Sequence, residues 1–505
     1  DNARLLNEVH PRTWHDPTVL PDSEYDLLVI GAGAGGLVSS KQAARRGARS
    51  CMISEHLAGG DCLNVGCVPS KALLHCARVA REAREAMAEG YLLAPDGSSA
   101  PAAFSVNFGA VMARMRALRA RIAPADSHEG TAGAGADVFQ GRGRFVGPRE
   151  VEVNGQRLKF KKAVIATGGR AVVPASIVGL AAAPYVTNET LFNLTTLPPR
   201  MVILGAGVVA MEMAQAFASF GSAVTVLVRS KIMARDEPAA VDAVRKTLEK
   251  AGVTFLLGVE PSKVDTLRAP AEGDGTLPLL RVTLSGVGVS GASELECETL
   301  LVAAGRVPNV EGMGLEAAGV AFDPKSGVKI DDLAVTTNPD VYALGDCAAG
   351  VPRFTHVSGE MAKLVVQNAL FGDSWRVSSL IVPRCCYTDP EVASVGITEA
   401  DAARAGLEID SYETSLAHND RIILESQSHA GGFVQIHCRT GTDTIVGATV
   451  VAPSAGNIIN EVSLAMQAGV GLGVVARVIH PYPTIAEGVM QAGLGYIRKH
   501  WAKVG

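Results

Sequence analysis

The residues of this chain best suited to chemistry lie in Gly60-Asp61-Cys62-Leu63-Asn64-Val65-Gly66-Cys67-Val68-Pro69-Ser70-Lys71, where two cysteines stand five positions apart. On a regular helix their Cα atoms would be roughly 8 to 9 Å apart, beyond the limit of about 7 Å for a disulfide. If the sulfurs bond, the backbone must bend between them, and Asn64 and Gly66 tolerate such a bend. Pro69 suits the first turn of a helix that starts near Cys67. A cysteine at a helix N-terminus, with Lys71 one turn on, is favoured as thiolate by the positive end of the helix dipole. Two buried structural cysteines, or half of a metal site, are the other readings of the pair. Zinc usually takes closer spacing and a second ligand pair, neither of which is visible, so no resident metal is expected. A redox disulfide beside a flavin is the favoured chemistry.

Two glycine turns supply candidate nucleotide sites. The apolar strand Tyr25 to Ile30 runs into Gly31-Ala32-Gly33-Ala34-Gly35-Gly36, then a helix pattern ending near Arg46-Gly47, then a strand Arg49 to Ser54 that meets Glu55. In such a unit Gly31, Gly33 and Gly36 allow a tight turn and close backbone approach, the helix N-terminus receives a pyrophosphate, and Glu55 accepts a ribose hydroxyl. The unit repeats: Met201 to Leu204 turns through Gly205-Ala206-Gly207-Val208-Val209-Ala210 and returns in Ala223 to Val228. This copy ends on Arg229, with Arg235 six residues later, and two guanidinium groups suit a 2′-phosphate, so NADPH is expected in preference to NADH.

The elements that must position these groups follow from the pattern. Helices are expected over about 70–89 and 107–122, joined by the loop-like Ala94-Pro95-Asp96-Gly97-Ser98-Ser99, and a hairpin region over 268–293. From about residue 380 strand-like runs such as Gly432 to His437 and Thr444 to Val451, then a helical stretch from Asn457, indicate a separate C-terminal domain. Residues 1–24, polar and carrying Pro11, Pro17 and Pro21, read as a loose arm, and Arg114, Arg116, Arg119 and Arg121 as a solvated helix face. Cys385-Cys386 reads as a buried structural pair on a strand.

At 505 residues the chain is long enough for about three domains, and 48% hydrophobic with 19% charged residues is the balance of a folded protein. The net charge of −5 argues against a protein built to track nucleic acid or an anionic membrane. No apolar run is long enough to span a bilayer. Nine cysteines, an odd number scattered over a long chain, point to a reducing compartment. An intracellular, soluble protein of cytoplasm or organelle matrix is expected.

The cysteine stretch resembles the active-site motif of the class I pyridine nucleotide–disulfide oxidoreductases, the family of dihydrolipoyl dehydrogenase, glutathione reductase and mercuric reductase. The similarity runs from about Tyr25 onward and includes Ala166-Thr167-Gly168-Gly169, Gly305-Arg306-Val307-Pro308-Asn309 and Thr337-Asn338-Pro339-Asp340-Val341-Tyr342-Ala343-Leu344-Gly345-Asp346 in the family's order. It implies an α/β fold with two Rossmann-like nucleotide-binding domains and a C-terminal α+β dimerisation domain. The divisions would be an arm over 1–24, a discontinuous FAD-binding domain over 25–174 and 307–379, an NADP-binding domain over 175–306, and a dimerisation domain over 380–505. It further implies FAD at the first fingerprint, with Lys71 near the flavin ring and Asp346 on the ribityl chain, NAD(P)H at the second, and a homodimer. Gly60, Asp61, Gly143, Thr167, Gly168, Thr355, Glu212 and Gly305 complete the implied cofactor-binding positions. NADPH would pass hydride to the flavin, which reduces the disulfide, leaving Cys67 as the thiolate facing flavin and Cys62 as the thiol that meets the acceptor.

The resemblance also bears on the acceptor. Family members that reduce organic disulfides carry a His before the Pro-Thr of a C-terminal motif and a Glu five residues after it. Here Glu487 is in place but Tyr482 holds the His position, and His480 falls two residues early. An imidazole near pKa 6.5 shuttles protons at neutral pH, whereas a phenol near 10 seldom can. Tyr482 and the second-fingerprint helix are similar to those of mercuric reductases, and a soft Hg(II) ion needs no general base. Mercuric reductases also end in a vicinal cysteine pair, whereas the last cysteine here is Cys438. A mercuric-reductase-like enzyme with Cys62, Cys67, Tyr482 and Glu487 as catalytic residues is therefore the first expectation. Dihydrolipoyl dehydrogenase or another low-molecular disulfide or quinone reductase is the second, and a non-catalytic flavin-bound redox sensor the third.

Overall fold

Strands covered on both faces read as unbroken apolar runs, and Leu27 to Ile30 are all buried. In the computed structural model, which describes residues 1–20, 23–93, 97, 104–270, 276–288, 294–425 and 431–501, they form the middle of β1 (Glu24–Ile30). β1 lies between β2 (Ser50–Ser54) and β6 (Gln156–Ile165), parallel to both. β3 (Asp137–Gln140) extends the sheet beyond β2, while β4 (Arg144–Gly147) and β5 (Glu150–Val153) extend it antiparallel beyond β6. A seventh strand, Val341–Ala343, returns from far along the chain to pair in parallel with Ala163 to Ile165.

β7 (Gly169–Ala171) pairs with Arg306–Pro308 and leads to a second sheet. There β8 (Arg200–Leu204), β9 (Ala223–Val228), β10 (Thr254–Leu257) and Thr299–Val302 lie parallel. A third, antiparallel sheet is ordered Arg384–Cys386, Glu391–Gly396, Ile445–Ala452, Phe433–Arg439, Ile409–Ser415, with helices Ala455–Gln467 and Glu487–Lys499 packed on it. The α/β class with two largely parallel sheets and a C-terminal α+β unit is thus the observed architecture. Of the expected Ala94–Ser99 loop only Gly97 is among the described residues, and 271–275 and 289–293 of the hairpin region also lie outside them.

The helices that matter for the site are α1 (Asn2–Val9), α2 (Ala34–Arg45), α3 (Gly60–Val65), α4 (Cys67–Ala88) and α5 (Phe108–Ile122), followed by α6 (His128–Ala132), α7 (Asn188–Leu191), α8 (Val208–Phe220), α9 (Pro238–Lys250) and α10 (Thr355–Phe371). α4 is the hinge of the packing. Leu73 and Ala77 join Met112 and Met115 of α5 and Met211 and Phe217 of α8 in one apolar cluster, so the helix that carries Cys67 touches elements of both parallel-sheet units. No helix of the described residues is long and apolar enough to cross a membrane.

Two expectations are corrected here. The first twenty residues are not a loose arm. Leu5 and Val9, one helical turn apart, are buried against Leu37, Met52, Leu63 and Ala120, and the Trp14 indole donates to the Val138 carbonyl at 2.9 Å. The prolines that suggested looseness all follow α1 and leave it intact. Nor are the α5 arginines a single solvated face. Met112, Met115 and Arg119 fall at helical spacing on the buried stripe, and Arg119 is 6% exposed. Arg116 is partly buried and donates to the Leu194 carbonyl at 3.0 Å. Because α1 packs as part of the core, Val9→Ala should cost about 1–3 kcal/mol, read as a lower urea midpoint with unchanged slope. A detached arm would leave that midpoint where it is.

Candidate active site

α3 and α4 would run on as one helix but for Gly66, whose φ of −136° and ψ of −111° break it. A side chain cannot replace the hydrogen there: a Cβ would stand 2.7 Å from the Asp61 carbonyl oxygen. The break is the expected bend between the cysteines, and it makes Cys67 the first residue of a 22-residue helix. The two sulfurs are not joined in a disulfide. Cys67 receives a hydrogen bond from Cys62, and its Sγ lies 3.3 Å from the Thr355 hydroxyl at the start of α10. The Cys62 hydrogen bond, opposed by burial and helped by Thr355 and by the charge of Lys71, lowers Cys67 to about 6. The same hydrogen bond and burial push Cys62 up. The surroundings therefore favour negative charge on Cys67 and the proton on Cys62.

Lys71, one turn along α4, places Nζ 2.7 Å from Glu212 Oε2 of α8 and 4.3 Å from the ring centre of Tyr387. Glu212 is buried, and its other oxygen accepts the Tyr387 backbone N–H at 3.0 Å. Of the expected cofactor positions, Glu212 thus has its carboxylate committed to Lys71 and Tyr387.

The glycine turns test the fit to dinucleotides. Gly31 (φ +112°) and Gly205 (φ +116°) are demanded by the fold, since a Cβ on either would stand 2.3 Å from a facing carbonyl oxygen, of Ala166 and Ala303 respectively. Gly36 is likewise closed, against the Gly31 carbonyl. The middle glycines differ: a Cβ on Gly33 would meet nothing nearer than the Gly60 Cα at 4.0 Å, and on Gly207 nothing within 4 Å. α2 and α8 begin at these residues without a side-chain cap, leaving their first N–H groups open to an anion. Both turns therefore present an open cradle suited to a pyrophosphate.

The remaining expected positions surround the first cradle. Glu55, at the end of β2, lies 3.5 Å from Arg142, and Gly143 packs beside Ile53. Asp61 and Asp346 are bridged by Arg306, which reaches Asp346 at 3.4 Å and also donates to the Gly169 carbonyl. Burial raises the Asp346 carboxyl against the pull of Arg306. The Thr167 hydroxyl donates to the Asn309 carbonyl at 2.7 Å, and Gly168 and Gly305 hold positive φ with open space at the Cβ position. At the second cradle Arg229 and Arg235 are exposed, and neither forms an ion pair among the described residues.

Tyr482 and Glu487 are not brought to the cysteines within one chain. Tyr482 is 72% exposed and donates to Asp420 Oδ2 at 2.5 Å, a bond that raises the phenol further. Glu487 accepts the Thr484 N–H at 3.1 Å, and His480 faces Glu461. Cys386 is buried and pushed up to about 12, and burial raises Cys385 as well. Among the described residues no group of three His, Cys, Asp or Glu could hold a metal. Sequence reasoning missed Tyr387, which directly follows Cys385-Cys386, and the bridging role of Arg306 in the run Gly305 to Asn309.

A family model described as pyridine nucleotide-disulphide oxidoreductase matches residues 25–362, and the model of that family's dimerisation domain matches 382–492. The chain is 32% identical over 497 residues to a mercuric reductase of Acidithiobacillus ferrooxidans, covering 97% of this chain and 86% of the relative. It is also 32% identical over 483 residues to a dihydrolipoyl dehydrogenase of Staphylococcus aureus, covering 94% and 97%. The solved structure of the HOCl-induced flavoprotein disulfide reductase RclA from Escherichia coli shares the fold, with a TM-score of 0.77 at 24% identity over 92% of this chain and 98% of that one. Pyridine nucleotide-disulphide oxidoreductases are FAD enzymes that use NAD(P)H.

Two measurements test the site. Gly33→Ala should fold with a wild-type melting midpoint as apoprotein yet lose bound flavin, whereas Gly31→Ala should lose about 2 kcal/mol or more of stability without any ligand. In the reduced protein, alkylation of Cys67 by iodoacetamide should fall about tenfold per pH unit below about 6, as the thiolate takes up a proton. Lys71→Met, by removing a cation that favours the thiolate, should move that midpoint up by about one pH unit.

Proposed function

We propose a reaction for this chain, which belongs to the pyridine nucleotide-disulphide oxidoreductase family: oxidation of NADPH with delivery of two electrons, through Cys62 and Cys67, to a soft acceptor, Hg(II) in the first instance. The observation that carries the reading is the break at Gly66, which makes Cys67 the first residue of α4 beside the Thr355 hydroxyl, so that negative charge is favoured on Cys67 and the proton on Cys62. FAD, when bound, supplies the two-electron relay between nicotinamide and sulfur.

The chain's own residues then have assignable tasks. Gly33 and the start of α2 receive the FAD pyrophosphate, Glu55 a ribose hydroxyl, and Asp346 the ribityl chain. Gly207 and the start of α8 receive the NADPH pyrophosphate, with Arg229 and Arg235 on the 2′-phosphate. Lys71, fixed by Glu212, keeps a positive charge beside Cys67. When two electrons and one proton enter the disulfide, the S–S bond breaks, Cys67 retains an electron pair as thiolate and Cys62 takes the proton. Cys62 then faces the acceptor.

Tyr482 separates the candidate acceptors. An organic disulfide leaves as thiols and requires a proton donor near neutrality, whereas the Tyr482 phenol is raised by Asp420 and holds its proton. A thiophilic metal ion takes two electrons from paired sulfurs without that help. Reduction of a low-molecular disulfide is the second reading, favoured by the equal identity to a dihydrolipoyl dehydrogenase. Leu464, Ile479 and Tyr482 are exposed within the dimerisation region, and a second copy of the chain is the occupant proposed to cover them.

NADPH added to the flavin-loaded protein should raise a long-wavelength thiolate–flavin absorbance that Cys67→Ser lacks, and its absence from both would refute the redox pair. Hg(II)-dependent NADPH oxidation should exceed the lipoamide-dependent rate by at least about tenfold, and the reverse order would select the disulfide reading. Arg229→Ala with Arg235→Ala should raise KM for NADPH by roughly 10- to 100-fold and leave that for NADH nearly unchanged.

A further inference from the structure

We propose that Arg119 is a positioning residue for the cysteine pair: it caps the broken end of α3, and Asn2 of α1 holds it in that pose. Where a helix stops, its last carbonyls lose their partners. At the α3–α4 break the carbonyls of Asn64 and Val65 are taken up by side chains from distant elements, Arg119 Nη1 at 2.7 Å and Asn188 Nδ2 at 3.3 Å respectively. Asn64 is itself buried and tied down, its Nδ2 donating to the carbonyls of Ala58 and Gly60 at 2.9 Å each. The cap therefore grips a fixed point two residues after Cys62 and three before Cys67.

Arg119 has few other commitments. It is 6% exposed, forms no ion pair among the described residues, and its Nε lacks a hydrogen-bond partner. Besides Asn64 the one hydrogen-bond partner of its guanidinium among the described residues is Asn2, whose Oδ1 accepts from Nη2 at 3.0 Å. A buried guanidinium held by so few bonds is sensitive to each. α1, which supplies Asn2, precedes the span matched by the family model, so the brace joins an N-terminal segment to the family's redox bend.

The consequence for chemistry rests on the proposed role of Cys62 and Cys67 as a redox pair. Closing the disulfide requires the two sulfurs to be held together, and a stiff bend raises the effective concentration of one at the other. A loosened bend makes the disulfide easier to reduce and weakens the Cys62 hydrogen bond that lowers Cys67.

The test equilibrates flavin-loaded protein with glutathione, in which the disulfide and two glutathione thiols give the dithiol and one glutathione disulfide. Arg119→Met should shift this equilibrium roughly tenfold toward the dithiol and raise the pH midpoint of Cys67 alkylation, with flavin content retained. Arg119→Lys, which keeps the charge but loses the planar fork, should recover part of both, and Asn2→Ala should move both in the same direction by about threefold. Should Arg119→Met fail to fold, Arg119→Lys and Asn2→Ala carry the test. Unmoved equilibrium and pH midpoint in the folded variants would overturn the proposal. A wild-type protein with no thiol–disulfide couple at all would instead overturn the redox reading beneath it.

Discussion

Two helices that cannot be continuous impose the geometry of the whole site. Without Gly66 the cysteines would lie on a single helix, too distant for their sulfurs to meet, and a Cβ at that position would press into the Asp61 carbonyl. The break simultaneously folds Cys62 back toward Cys67 and gives Cys67 the N-terminus of a long helix, where the dipole favours negative charge. Distance and charge are thus set by the same backbone feature. The break thereby brings Cys67 to the Cys62 thiol, the Thr355 hydroxyl and Lys71, and of these the Cys62 hydrogen bond does most to lower Cys67.

Because α4 carries this feature, its packing decides what the cysteines can communicate with. One face joins α8 of the second nucleotide sheet through Leu73, Met211 and Phe217, and Lys71 crosses to Glu212 of the same helix. An ion pair with one buried partner contributes little net stability, yet removing Lys71 would strand the buried Glu212 charge, so the pair is better understood as fixing register between the two halves. Tyr387, from the C-terminal unit, closes over Lys71 and fixes Glu212 by its N–H, bringing a third unit to the same point.

Local patterns were legible and long-range capping was not. The strand–turn–helix units at Gly31 and Gly205 were plain because each sits within about thirty residues of contiguous chain. The sulfur spacing called for a bend if the cysteines bond, with Asn64 and Gly66 both able to supply it, and the break falls at Gly66. By contrast, Arg119 looked like one of four solvated arginines, since charge outweighs periodicity in a first reading. Its place on the Met112 and Met115 stripe was the available signal. The packing of α1 was hidden by the prolines behind it, although Leu5 and Val9 have helical spacing. Arg306 bridging Asp61 and Asp346 joins positions separated by more than two hundred residues in one case, a proximity no local pattern encodes.

The returning strand Val341–Ala343 has a bearing on how the chain is made. Its partners Ala163, Val164 and Ile165 are fully buried in the finished sheet. On the ribosome, that apolar edge must wait for Ala343, and at about 5–20 residues per second the interval is roughly ten to thirty seconds. The first sheet is thus an unfinished template for as long as the second takes to emerge.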